Sequence, residues 1–280
     1  TMIGTPGIFG GYDYTPFEMN RRTDKTLQQK HNEAILTMPI VFNQNNWNVT
    51  VADLPYENYL EQPVTYMYKG YDFINRITTH GAYSNIWYAR NNMKKSPFMS
   101  EGIKRNFIWF SVLKIVPPFM RQIIYHKKYW ISYNKFEDNA KFIDNYSEID
   151  LFPELFDSSS EKNAFFLLDN EANHESILLQ APDYIPVENV TDFGPGGKDE
   201  TYSSMVGVLK RFADFIDFLK ENNLYDNTKI IIVSDHGMSR DTGVFDNKTQ
   251  NFPFYKENMT ATLLVKDFFS RGNLKEVYTF

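Results

Sequence analysis

The sequence predicts an α/β fold with a mostly parallel central sheet and helices on both faces. Three observations carry this prediction. Ala164-Phe-Phe-Leu-Leu168 and Lys229-Ile-Ile-Ile-Val-Ser234 are unbroken apolar runs of strand length, the pattern of strands buried on both faces. Between them Met205, Val208, Leu209, Phe212, Phe215, Ile216 and Leu219 recur at three- and four-residue steps, which predicts a helix over Tyr202 to Lys220. Strand, long helix, strand is the grammar of a parallel sheet with helices on both faces, because parallel strands need a long crossover that a helix can supply.

The remaining elements follow in chain order. Thr1 to Pro16 is rich in Gly, Thr and Pro and reads as loop. Asp24 to Asn43 reads as a helix with a ragged apolar face of Leu27, Ile35, Met38, Ile40 and Val41. Asn48-Val-Thr-Val-Ala52 is a short strand closed by Asp53 and Pro55, and Leu54 to Tyr71 is a connection rich in Tyr and Pro. Ile103 to Trp130 mixes apolar and basic residues and predicts helix on both sides of Pro117-Pro118. Its basic run, Arg121 to Lys128, reads either as a solvated face or as a face for anionic headgroups. Asp183 to Lys198 reads as loop, Asn222-Asn223 as a helix stop, and Glu276 to Phe280 as a strand.

Composition narrows the function classes. The 280 residues carry 29 Lys and Arg against 35 Asp and Glu, a net charge of −6, which argues against a protein that coats nucleic acid. Hydrophobic residues at 42% and charged residues at 23% are ordinary for a folded chain. With no cysteine, disulfides, zinc ribbons and a cysteine nucleophile are excluded within this chain. No run of about 18 apolar residues is present. The opening on Thr1, without a signal-peptide pattern, reads as the start of a piece of a longer protein, with any membrane anchor outside the window.

The chemistry concentrates at Ser234-Asp235-His236-Gly237, directly after an apolar strand. In open α/β sheets the ligand crevice lies beyond the carboxyl ends of the strands, so Asp235 and His236 fall where chemistry is expected. A carboxylate and an imidazole side by side form part of a shell for Zn²⁺ or Mn²⁺. The segment Ile230 to Gly237 resembles the metal-binding signature of the alkaline phosphatase superfamily, in its sulfatase-like branch. Among the members of that superfamily are membrane-anchored enzymes that move phosphoglycerol or phosphoethanolamine from lipids, such as lipoteichoic acid synthase-like transferases. The resemblance implies an alkaline-phosphatase-like fold, with residues 1–280 as one catalytic domain lacking its first strand and C-terminal part. It also implies that Asp235 and His236 are metal ligands.

Two further segments fit the same resemblance. Leu168-Asp-Asn-Glu-Ala-Asn-His174 follows an apolar strand, where the family carries a histidine that contacts substrate, so His174 is expected near the same sheet edge as Asp235. Thr1-Met-Ile-Gly-Thr-Pro6-Gly-Ile-Phe9 resembles the nucleophile loop of the headgroup transferases. On that match Thr1 is both nucleophile and metal ligand, with Thr5 as the rival. A metal is needed because a free hydroxyl is a poor nucleophile at neutral pH. Two departures stand out: the acidic ligand of the family's first strand would precede Thr1, and no His follows His236.

The resemblance implies metal-dependent phosphoryl transfer on a phospholipid headgroup at the extracytoplasmic face of a cell membrane, or in a periplasmic or secreted setting. The alternatives are a sulfatase-like phosphodiesterase, phosphatase or sulfuric ester hydrolase, and a non-catalytic binding member of the fold. Phosphoesters or sulfoesters are the expected partners, with no nucleic acid.

Overall fold

The computed structural model describes residues 4–52, 54, 68–93, 99–125, 136–156, 162–237 and 261–276. The chain divides into two compact units. The first comprises Thr1–Ile77, Asp157–Asp169 and Ile216–Phe280, and the second Thr78–Phe156 and Asn170–Phe215.

The first unit holds the parallel sheet. Strands β1 (Asn48–Ala52), β2 (Ile74–Ile77) and β3 (Ala164–Leu168) run in the order β2-β1-β3, with Val49 opposite both Ile74 and Phe165. β1 is central, and Val51 and Ala52 are fully buried. Its core partners Ile35 and Leu36 come from α3 (Leu27–Gln44), preceded in this unit by α1 (Gly4–Gly10) and α2 (Pro16–Arg21). Phe42 of α3 stacks on Phe165 of β3 at 4.1 Å between ring centroids. α3 begins where its sequence dictates. The Thr26 hydroxyl accepts from the Gln29 N–H at 3.2 Å, and the Gln29 side chain accepts from the Thr26 N–H at 2.9 Å. That reciprocal pairing satisfies two donors that a helix start leaves open.

The N-terminal segment departs from the loop expectation, because Gly4–Gly10 is helical. Pro6 lies in the first turn, where a missing N–H costs nothing. Gly10 permits the close approach of α1 to α3, since a Cβ there would stand 2.9 Å from the Ala34 Cα.

The second unit is helical and surrounds an aromatic core. It contains α4 (Ser84–Arg90), α5 (Met99–Ile115), α6 (Pro118–Tyr125) and α7 (Phe136–Leu155), and α8 (Glu200–Glu221) runs in it as far as Phe215. Trp87, Phe142, Ile143, Tyr146, Ile177 and Leu179 form the core, with Phe142 stacked on Tyr146 at 5.1 Å. The Trp87 indole N–H donates to Asp150 at 2.9 Å, and Arg211 pairs with the other oxygen of Asp150 at 3.1 Å.

The α/β class holds: a three-stranded parallel sheet stands with eight α-helices among the described residues. The two apolar runs do not share one parallel sheet among the described residues. β4 (Ile230–Val233) pairs antiparallel with β5 (Leu263–Lys266), in a sheet separate from β3 among the described residues. The second apolar run at Leu263 supplies β4 with backbone partners, and it leaves one face of β4 open: Ile231 and Val233 are exposed. β3 likewise is half-buried rather than buried on both faces, because it borders β1 on one side only among the described residues. The strand expected over Glu276 to Phe280 and most of the connection Leu54 to Tyr71 lie outside the described residues.

Candidate active site

Ser234, Asp235, His236 and Gly237 leave the C-terminal end of β4. Ser234 closes the ladder. Its N–H donates to the Thr262 carbonyl at 3.0 Å and its hydroxyl accepts from the Thr262 N–H at 2.7 Å. The backbone just before Asp235 is thereby held at two points. Beyond it the Asp235 carboxylate and the His236 Nε2 stand 3.6 Å apart, with the Asp235 side chain partly covered and that of His236 nearly half exposed.

The other imidazole nitrogen decides what the pair can hold. His236 Nδ1 lies 2.6 Å from the Gly237 carbonyl oxygen, which can only accept. Nδ1 therefore carries the proton, and Nε2 presents a lone pair on the side of Asp235. A metal-bound histidine is oriented in this way by a carbonyl behind it. Ligand bonds of about 2.0–2.2 Å in a tetrahedral shell put neighbouring donor atoms roughly 3.3–3.6 Å apart. The Asp235–His236 separation lies within that range of donor–donor distances. No third His, Asp or Glu joins them in a metal-binding group among the described residues, so the pair could supply two ligands at most.

His174 belongs to the second unit. It follows β3 on the turn Ala172 to Glu175, with its side chain 74% exposed and its Nδ1 3.7 Å from Glu175. The turn is tied to α7. Asn170 donates from its amide to the Asn145 carbonyl and to the buried Glu148 carboxyl, both at 2.9 Å, and accepts from the Ala172 N–H at 3.1 Å. The Asn145 side chain accepts from the Glu171 N–H at 3.3 Å and lies 3.1 Å from His80 Nδ1. The second oxygen of Glu148 accepts from the Thr79 hydroxyl. Sequence reasoning missed Thr79, Asn145, Glu148 and Asn170. They are scattered over some ninety positions, and no local spacing marks them as neighbours.

Thr1 lies outside the described residues. Its rival Thr5 is 6% exposed in the first turn of α1, a placement that limits access of any substrate to its hydroxyl. His31 is fully buried in α3, and burial pushes its imidazole down to about 4, so it is neutral at pH 7. His126 lies outside the described residues. A groove of about 440 Å³ opens at the start of β1, lined by Trp47, Thr50, Asn75 and Lys162 among others. It lies at the amino ends of the strands and holds none of the expected site residues.

No curated protein and no solved structure gives a significant match to the chain. One family model does match, that of type I phosphodiesterase / nucleotide pyrophosphatase, over residues 75–250. The matched span covers well over half of the chain and includes His174, Asp235 and His236. The chain belongs to the type I phosphodiesterase / nucleotide pyrophosphatase family, within the alkaline phosphatase superfamily.

Proposed function

We propose that the protein transfers a phosphoryl-linked headgroup, phosphoglycerol or phosphoethanolamine, from a phospholipid through a threonine nucleophile, Thr1. The observation that carries the metal-dependent part is the Asp235–His236 pair, with Nε2 freed by the Gly237 carbonyl and 3.6 Å from the carboxylate. Family membership supports phosphoester chemistry, and members are typically zinc-dependent. A bound Zn²⁺ or Mn²⁺ would lower the pKa of a coordinated hydroxyl and neutralise phosphoryl oxygens.

The chain's own residues then divide the work. Asp235 and His236 would hold the metal. The Thr1 hydroxyl attacks phosphorus and gives up its proton, the bond from phosphorus to the diacylglycerol oxygen breaks, and that oxygen takes up a proton in exchange. His174, exposed on its turn, hydrogen-bonds the phosphate or supplies this proton. An acceptor hydroxyl attacks the threonine ester in the second step and restores Thr1. We place the reaction at the extracytoplasmic face of a membrane, where such lipids and acceptors meet.

A second reading replaces the acceptor with water, making the protein a phosphodiesterase. The family match favours it, since the family's name is that of a hydrolase. One experiment addresses both. Protein incubated with headgroup-labelled lipid and no acceptor should gain one headgroup mass on the peptide containing Thr1. Thr1→Ser should retain some adduct and Thr1→Ala none. Rapid release of free headgroup phosphate into water identifies the hydrolase. An adduct on Thr5, or full turnover by Thr1→Ala, overturns the assignment of the nucleophile.

A further inference from the structure

The geometry points to a docking surface for an anionic lipid bilayer on α5 and α6 of the second unit. Two independent features meet there. The first is charge. Residues 102–136 contain seven Lys and Arg (104, 105, 114, 121, 127, 128 and 135) and no Asp or Glu. The rest of the chain therefore holds 29 − 7 = 22 cations against 35 acids, a balance of −13. Charge is segregated, with one cationic stretch on an acidic protein.

The second feature is exposed apolar surface. On α5 Phe107, Ile108 and Ile115 are 66%, 69% and 81% exposed, and on α6 Phe119 and Ile123 are 79% and 65% exposed. Ile108 and Ile115 lie two turns apart on one helix face, and Phe119 and Ile123 one turn apart on another. Ile124 is instead turned inward at 6% exposure, so α6 has a fixed inner side and an apolar outer one. Several large apolar side chains exposed on two successive helices of a folded chain mark a candidate interaction site. Lys114 and Arg121 are exposed beside these side chains.

The combination selects the occupant. Cations alone would suit any polyanion, but a nucleic acid or polyphosphate gives the isoleucines and phenylalanines nothing to enter. A second copy of this chain would bring two cationic stretches face to face. The boundary of an anionic bilayer takes both, with apolar side chains below the headgroups and Lys and Arg at their level. No helix among the described residues is long and apolar enough to cross a membrane, so α5 and α6 would lie in the interface. The acidic remainder of the protein is repelled by the same surface, which orients the molecule on it. This surface does not depend on Thr1 or on the metal pair.

The test is cosedimentation of the 280-residue chain with vesicles of phosphatidylcholine, with or without phosphatidylglycerol. Binding is expected to the mixed vesicles at low salt. It should be lost near 1 M salt, where the Debye length is about 3 Å. Lys114→Gln with Arg121→Gln should weaken partitioning about 30-fold, and Phe119→Ser with Ile123→Ser about 10-fold or more. These positions are exposed, so circular dichroism should be unchanged, as should turnover of a water-soluble diester. Absent binding to mixed vesicles at low salt, or equal binding to pure phosphatidylcholine, overturns the proposal. So does unweakened binding by the Phe119/Ile123 variant, which would identify a polyanion partner, or a dimer that this variant dissolves. Loss of turnover with vesicle binding intact would count against the proposed catalysis alone.

Discussion

Asn170→Ala removes three hydrogen bonds at once and should loosen the turn that carries His174. The amide of Asn170 reaches the Glu148 carboxyl and the Asn145 carbonyl, and its oxygen caps the Ala172 N–H. A bond to a carboxylate contributes about 1.5–3 kcal/mol and a neutral one about 0.5–1.5 kcal/mol. Their sum, about 2.5–6 kcal/mol, is an upper range, because water entering the vacated space recovers part of it. We expect a loss of about 3 kcal/mol in urea denaturation, at an unchanged slope against denaturant. Glu148 cannot relax outward to find a substitute, being only 1% exposed. The catalytic consequence is separate. His174 is carried by its own turn, with Glu175 3.7 Å from its Nδ1, so a displaced backbone should lower turnover about tenfold or more. A stability within about 0.5 kcal/mol of the parent would refute the network as the anchor of this turn. A destabilised variant with full turnover would show that the turn holds nothing of catalytic value.

The other predictions concern the first unit. Asp235→Asn or His236→Ala should abolish stoichiometric zinc or manganese while leaving the circular dichroism intact, since both residues lie on a turn outside the buried cores; unchanged metal content by elemental analysis in both variants would remove the site. His31 should make stability depend on acid: its imidazole is held at about 4 in the fold against 6.5 when free, so the unfolded chain binds the extra proton between those values. Stability should be full above about pH 6.5 and fall by about 1.4 kcal/mol per pH unit towards pH 4, at most about 3 kcal/mol in all; His31→Gln should flatten that slope, and an equal slope in both proteins would refute the assignment.

What the sequence made legible was what it repeats locally. The three- and four-residue steps from Met205 to Leu219 predict a helix, and α8 spans Glu200–Glu221. The Pro117-Pro118 break separates α5 from α6 as expected. Two other elements carried no such signal. α7 is buried on several sides at once, with Phe142, Ile143, Tyr146 and Ile149 packed in the core and Ser147 and Glu148 buried beside them. An apolar stripe disappears from a helix enclosed in this way. β2 reads Ile74-Asn-Arg-Ile77, too polar to be noticed as a strand, and forms because β1 offers it a parallel partner. Pairing was the least legible property. An apolar run announces that a strand is buried or paired but not which strand it pairs with, and β4 took β5 rather than β3.

The same distinction separates the residues within Ser234-Asp235-His236-Gly237. A two-stranded ribbon is marginal by itself, and β4 and β5 form one, with Ile231 and Leu263 exposed. Its far end is held by Lys266, whose ammonium donates to the Thr228 carbonyl at 2.7 Å and lies 3.9 Å from the centre of the Tyr225 ring. Its near end is held by Ser234 and Thr262. The Ser234 hydroxyl thus accepts from the backbone and anchors the ladder, whereas Asp235 and His236 come one step further on. In the proposed reading the carboxylate and His236 would hold the metal, and the nucleophile is Thr1. A divalent ion shared by those groups would also bind the folded ribbon better than the unfolded one, so metal should raise the stability of the strand pair that presents it.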